Sequence, residues 1–469
     1  MKNANRFLSG VMAAVLMLLC AACGNTAAVQ QEAPPSAGQT ETATATATAI
    51  TELVKPEAAQ YPKEEDFIKD GEYDWDAYGK AMDAWFAERE ARSEAIGRYA
   101  ADIDAYMAKA PAVFLAGAEG QNAICSPLNI YMALAMLAEC TAGDTQAQIL
   151  ELLGAADLAQ LRTTAQALWE ANYRNDGLLT ELLGSSLWMN QNISFNKETI
   201  NNLALYYYAT AYRGDMTDAG FFKAFQNWLD EQTAGLLKEQ ISTLEPFKPE
   251  DVMAIATTIY FKGSWHSEFQ PELNTSMVFH GADGDNETVF MCSDDKGTLY
   301  KGEGFRAVKL AFKGDAAMWI LLPDEGTSPE DLITNGAAAK FLEDPDASAE
   351  GRYVIHLKLP KFDVSSSLSL KEALMQLGVT DAFDKNSADF TPLTDTPEVF
   401  VSSVTHDARV KIDEEGCEAA AYTIIMVENS ALEIPPETDF VVDKPFVFAV
   451  TGQDGLPMFE GIVNDPAAS

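Results

Sequence analysis

Apolar and polar positions fall into three regimes along this chain. The segment "FLSGVMAAVLMLLCAA" is an almost unbroken apolar run behind Lys2 and Arg6. A stretch without periodicity follows, and then "DWDAYGKAMDAWFAEREARSEAIG" places Trp, Tyr, Met and Phe at helical spacing. Longer helical patterns come next, in "IYMALAMLAECTAGDTQAQILELLG", "FFKAFQNWLDEQTAGLLKEQI" and "SLKEALMQLGV". Strand-like runs dominate from Val252 onward: "AIATTIYFKG", "FRAVKLAF", "AMWILLP", "YVIHLKLPKFDV", "VFVSSVTHDARVKI" and "DFVVDKPFVFAV". Helices and strands segregated in this way predict an α+β domain with large antiparallel sheets rather than βαβ units.

The opening run has the charged head and short apolar core of a secretory signal, shorter than the roughly 20 apolar residues of a membrane span. It ends in "LCAAC", where Ala21 and Ala22 precede Cys23, resembling a bacterial lipoprotein signal with Cys23 as the lipidated residue; Cys20 stands where that pattern usually has Leu. The reading is a signal peptide over 1–22 and a disordered Ala/Thr/Pro-rich linker over 23–60. An acidic helical extension over 61–97 and one large domain over 98–469 complete it. Treated as a coil, the linker reaches roughly 35 Å. The expected location is outside the cell, on a membrane through the lipid anchor only.

Charge and composition narrow the function. Lys and Arg number 32 against 71 Asp and Glu, a net charge of −39, so phosphate backbones are repelled and nucleic acid is not an expected partner. Beyond Cys20 and Cys23, the cysteines Cys125, Cys140, Cys292 and Cys417 have neither disulfide-framework nor zinc spacing. His266, His280, His356 and His406 lack metal-ligand spacing, and no nucleophile elbow or phosphate loop is present. Ser194 to Lys197 forms a Ser-x-x-Lys without its companion signatures, and Arg213-Gly214-Asp215 is a three-residue match that chance supplies easily. No enzyme, cofactor or metal is expected.

Seven segments, in order, resemble the serpin family. They are "NAICSPLNIYMALAMLAECTAGDTQAQI", "FQNWLDEQTAGLLKEQI", "TTIYFKGSWHSEF", "MWILLPDEG", "LPKFDVSSSLSLKEALMQLGVTDAFD", "VTHDARVKIDEEGCEAAAYT" and "DKPFVFAV" with "GIVNDP". They cover Ile96 to Pro466 and overrule the two or three domains that length alone suggests. The resemblance implies a serpin fold: a large central sheet, two further sheets, about nine helices and an exposed reactive loop whose insertion releases stored strain. It also implies a suicide-substrate mechanism on a serine protease, with cysteine proteases as a second class, by a protein acting as a monomer. A protease cuts the loop, and the acyl-enzyme is trapped as the loop enters the central sheet.

The resemblance places the loop hinge at Glu414, Glu415, Gly416, Cys417, Glu418, Ala419, Ala420 and Ala421, with Cys417 where Thr or Ser is usual. Read at period two, one face is Cys417, Ala419, Ala421, Thr423, Ile425 and Val427, all uncharged and small or β-branched. The other face holds Glu418, Ala420, Tyr422, Ile424, Met426 and Glu428. No Pro interrupts Gly416 to Leu432, so no ladder donor is lost. The family's sheet-opening region maps to Ser126, Asn129, Thr257 and His406; Asn129 replaces a Ser and Thr257 an Asn, so amide and hydroxyl have changed places.

The scissile bond is Ser430–Ala431 when counted from the hinge glycine, or Leu432–Glu433 when anchored on "IPPE". The first points to an elastase- or subtilisin-like protease, the second to a chymotrypsin-like one. Neither offers Arg, Lys or Asp. The alternatives are a non-inhibitory serpin-fold binding protein at the cell surface and an adhesin acting through Arg213-Gly214-Asp215.

Overall fold

The computed structural model describes residues 11–22, 48–51, 59–69, 72–117, 120–416 and 435–467. Its centre is the helix Pro127–Glu139, every residue of which is buried. The helix starts where it does because Ser126 caps it, its hydroxyl accepting the Asn129 amide at 3.4 Å, and because Pro127 sits at the first position, where no amide hydrogen is needed. We call it the buried helix.

Over it lies an eight-stranded sheet in the spatial order 362–369, 399–412, 11–22, 251–263, 179–190, 209–214, 48–51, with Arg174–Asn175 as a short hairpin arm on 179–190. The strand Asp251–Gly263 is buried almost throughout, as expected for a central strand with both faces covered. On the far side the helix Ala219–Gln232, capped by Asp218, lays Phe221, Phe222, Phe225 and Leu229 against Trp188, Ala254, Ala256 and Tyr260. Strands 437–441, 349–360, 284–302, 305–311, 317–323, 446–451, 457–463 and 123–125 make a second, nine-stranded sheet with 275–281 at its side. The two further sheets expected are thus continuous, joined through the long strand Gly284–Gly302. A two-stranded ribbon, 68–69 with 72–73, lies in the extension. Eleven α-helices occur among the described residues, against about nine expected from the fold.

Three segments depart from the expected organisation. The apolar run read as a leader forms the strand Val11–Ala22 in the middle of the large sheet. Continuous apolarity suits a strand buried on both faces as well as a signal core, so the pattern does not separate them. Within the expected linker, Thr48–Thr51 pairs antiparallel with Ala209–Gly214 at the sheet edge, in keeping with its β-branched residues. The extension does not end at residue 97: one helix, Trp75–Met107, runs across that boundary. It is docked on the body, with the Trp85 indole donating to Asp176 at 3.0 Å and Tyr61 N–H to the Asp176 carbonyl at 2.7 Å.

Candidate functional site

The strand Val399–Ile412, here the hinge strand, and Asp251–Gly263, here the flanking strand, do not pair with each other; Val11–Ala22, the leader strand, fills the space between them. It runs antiparallel to both, from Val11 opposite Lys411 and Lys262 to Ala21 opposite Phe400 and Asp251. Its side chains alternate. Met12, Ala14, Leu16, Leu18 and Cys20 join the main core, while Val15, Met17 and Leu19 pack with the Phe221–Phe225 group. The space is therefore a strand-wide slot that takes small or apolar side chains on both faces and satisfies a backbone from two sides.

Ser126, Asn129, Thr257 and His406 meet beneath this slot. Thr257 and His406 are register partners of one residue, Leu16, from opposite sides. The Ser126 amide donates to His406 Nε2 at 3.0 Å. Asn129 Nδ2 donates to the Thr257 carbonyl at 3.3 Å, and Thr257 Oγ1 donates to the Asn129 carbonyl at 3.2 Å. The exchanged amide and hydroxyl thus form a reciprocal pair between the buried helix and the flanking strand. His406 is fully buried, and burial pushes its pKa down to about 3, so the ring is neutral over the physiological range.

At the top of the slot the chain leaves the hinge strand as Asp413-Glu414-Glu415-Gly416 and crosses to the end of the flanking strand. The Trp265 indole donates to the Asp413 carbonyl at 2.9 Å, and the Phe269 amide to the Glu414 carbonyl at 3.1 Å. The Glu414 carboxylate is nearly buried and is met by Lys361 Nζ and Asn274 Nδ2. Burial alone would raise its pKa, but these two partners outweigh burial and hold it below the usual range. Burial pushes the Asp413 carboxyl up to about 6. Gly416 has φ +57°, and a Cβ there would lie 2.2 Å from Trp265 N and 2.7 Å from Ser264 Cα. Both the backbone region and the space exclude a side chain. Trp265, Lys361 and Asn274 hold this segment and were not singled out from the sequence, since each lies far from it along the chain.

Cys417 to Ala421, the bond candidates Ser430, Ala431, Leu432 and Glu433, and Cys23 lie outside the described residues. The adhesin motif is engaged internally: Arg213 Nη2 donates to the Gln191 and Ile193 carbonyls at 2.8 Å, and Asp215 accepts from Thr217 at 2.7 and 2.8 Å. Lys197 opens the helix Lys197–Tyr207, capped by Asn196, and Ser194 lies in the segment before it, its carbonyl accepting from Thr394 Oγ1 at 2.7 Å. Among the described residues no group of three metal-capable side chains occurs, and no helix is long and apolar enough to cross a membrane.

The family model described as Serpin (serine protease inhibitor) matches residues 113–466. A serpin-like protein of Methanosarcina acetivorans is 29% identical over 360 residues, covering 74% of this chain and 82% of that protein. Serpin-Z4 of Arabidopsis thaliana is 29% identical over 374 residues, covering 75% and 93%. Among solved structures, the thermophilic serpin tengpin in its native state superposes with a TM-score of 0.65 at 24% identity, over 77% of this chain and 94% of that one. Such a family is one of protease inhibitors in the main rather than of catalysts, with proteases as partners. On the extent of the family match and the fold, this chain belongs to the serpins.

Proposed function

We propose that the chain is a suicide-substrate inhibitor of serine proteases, exported and held at the outer face of a cell membrane through lipid on Cys23. The observation that carries this reading is the slot joined to the glycine hinge. A strand-wide gap takes an antiparallel strand with small or apolar side chains, and the segment beginning at Gly416 starts at its mouth with that alternation. In the mechanism, the protease's serine oxygen attacks the Ser430 carbonyl carbon. The Ser430–Ala431 bond breaks, the Ala431 amine leaves with a proton, and an ester joins the protease to Ser430. Gly416 then swings from the Ser264–Trp265 backbone, and Cys417, Ala419 and Ala421 enter the slot as the leading inward positions. About a dozen added ladder bonds at roughly 0.5–1.5 kcal/mol each supply on the order of 10 kcal/mol. The ester is carried off with the inserted loop before water completes hydrolysis.

The leader strand occupies the same slot, so the reading requires that residues 1–22 be removed, as cleavage of a signal peptide would do. A precursor that keeps Val11–Ala22 in place behaves instead as a plain substrate. The test compares the full chain with a chain beginning at residue 23 and carrying Cys23→Ser, each mixed with chymotrypsin, pancreatic elastase and subtilisin. The shortened chain is expected to form an SDS-stable complex with at least one protease, releasing a peptide that begins at Ala431 (or Glu433). The full chain is expected to be cleaved without a complex. Cleavage of both forms without any complex would favour a non-inhibitory binding protein.

A further inference from the structure

The helix Trp75–Met107 lies wholly outside the residues that match the family, and the fold uses one of its faces. That docked face is Trp85, Arg92, Ala95 and Tyr99, all buried and spaced at helical intervals. Trp85 donates to Asp176 at 3.0 Å, Arg89 pairs with Asp315 at 2.8 Å, and Arg92 with Glu88 at 2.9 Å. These contacts fix the rotation of the helix about its axis, and with it what the helix shows to solvent.

What it shows is a second apolar stripe. Trp75, Met82 and Phe86 recur at i, i+7 and i+11, which places them in one line along an α-helix. Trp75 is 73% exposed and Phe86 50%, with Met82 half-buried between them. Tyr73 leans on Trp75 with ring centroids 4.3 Å apart, so the line starts on an aromatic pair already set in place. Beside it runs a second row, Asp76, Asp83 and Glu90 at i, i+7 and i+14, all three exposed. From Asp74 to Glu94 there are six carboxylates against Lys80, Arg89 and Arg92. Arg92 is buried and Arg89 is engaged with Asp315, which leaves Lys80 as the exposed cation of this half.

We propose that this face docks a basic amphipathic helix of a partner protein, its apolar row covering Trp75, Met82 and Phe86 and its lysines or arginines meeting Asp76, Asp83 and Glu90. An exposed apolar line rimmed by charge marks an interaction site, and helix-on-helix docking reads such lines at these intervals. From Trp75 to Glu90 the face is about 23 Å long, four turns of a partner helix. The apolar row supplies affinity, and the acidic row selects the partner and its register. A second copy of this chain would bring the same acidic row against its own. A lipid surface calls for lysine and arginine beside the apolar stripe, where this helix has acids. No residue of the face belongs to the slot, so the proposal does not rest on the inhibitor reading.

The test is fluorescence anisotropy of labelled three-heptad peptides titrated with the full chain. The first peptide has Leu at a and d and Lys at e and g. The second carries Glu in place of those Lys, and the third scrambles the first so that the heptad repeat is lost. The basic heptad peptide is expected to bind saturably, one to one, at least tenfold tighter than either of the others. Trp75→Ala with Phe86→Ala should weaken it at least tenfold. Asp76→Lys, Asp83→Lys and Glu90→Lys together should transfer the preference to the acidic peptide, and this set decides the matter should the first pair not fold. Leu205→Ala, at a residue 53% exposed on the helix Lys197–Tyr207, should leave binding within twofold. Equal binding of the basic and scrambled peptides, parental affinity in the Trp75/Phe86 variant, or an unchanged preference after charge reversal overturns the proposal. So does a dimer in sedimentation velocity, or binding to phosphatidylcholine vesicles, that the Trp75/Phe86 variant abolishes, since either assigns the face to another occupant.

Discussion

Replacing Gly416 by Ala probes the hinge where the geometry is tightest. At φ +57° an L-residue is disfavoured by about 1 kcal/mol or somewhat more. The added methyl would stand 2.2 Å from Trp265 N and 2.7 Å from Ser264 Cα. Both contacts are backbone, so neither yields as the end of a flexible side chain would. Relief comes from lifting the hinge off the flanking strand, which breaks the Trp265–Asp413 and Phe269–Glu414 hydrogen bonds, about 0.5–1.5 kcal/mol each. Since the open hinge lacks those two bonds with or without the methyl, the change is set by the docked state, which the left-handed backbone raises by about 1–2 kcal/mol before the clash is added; at a factor of ten per 1.4 kcal/mol the open population rises at least roughly 5- to 30-fold. Hydrogen–deuterium exchange of the peptide containing the Phe269 amide reads this opening directly. Gly378→Ala is the control, since Gly378 also has positive φ (+98°) but nothing stands within 4 Å of its added carbon. G378A should leave the hinge amides protected. If G416A protects Phe269 as the wild type does, the hinge is not held by the contact described.

Other perturbations address the sheet-opening residues. Asn129→Ala and Thr257→Val each remove one half of the reciprocal pair, and each should cost about 1–3 kcal/mol in urea unfolding because a buried partner is left behind. The double variant should cost less than the sum by at least about 0.5 kcal/mol; strict additivity would mean that the two bonds do not act together. His406 has a folded pKa of about 3 against an ordinary 6.5, so the unfolded chain binds the extra proton between those values. Its contribution is complete above pH 6.5 and is lost as pH falls toward 3, by about 1.4 kcal/mol per unit. The stability of H406Q should accordingly fall less steeply than that of the wild type from pH 6.5 to 3.5; parallel curves would contradict the assignment.

The sequence exposed some of this arrangement and concealed the rest for physical reasons. Gly416 is expected as a hinge from its place after Glu414 and Glu415, but the need for glycine there depends on Ser264 and Trp265, which only folding brings alongside. The exchange of amide and hydroxyl at Asn129 and Thr257 was visible as a departure from the family pattern. That the two cross-bond through each other's carbonyls required the buried helix to lie under the flanking strand. The run Val11–Ala22 was ambiguous in principle, since a signal core and a strand buried on both faces carry the same apolar pattern. The helix Trp75–Met107 passes the expected boundary because nothing in "AIGRYAADIDAYM" breaks it, Gly97 facing open space.

The central claim is that the segment after Gly416 enters the slot with Cys417 as its first inward side chain. The most direct measurement is the partition between SDS-stable complex and cleaved inhibitor, for the chain beginning at residue 23, with Cys417 intact and as Cys417→Arg. A guanidinium on the inward face would have to be buried without a partner, so insertion stalls and hydrolysis wins. The account predicts a stable complex from the unsubstituted chain and cleavage without complex from C417R. A C417R chain that forms the complex as readily as its parent would contradict insertion as the source of inhibition.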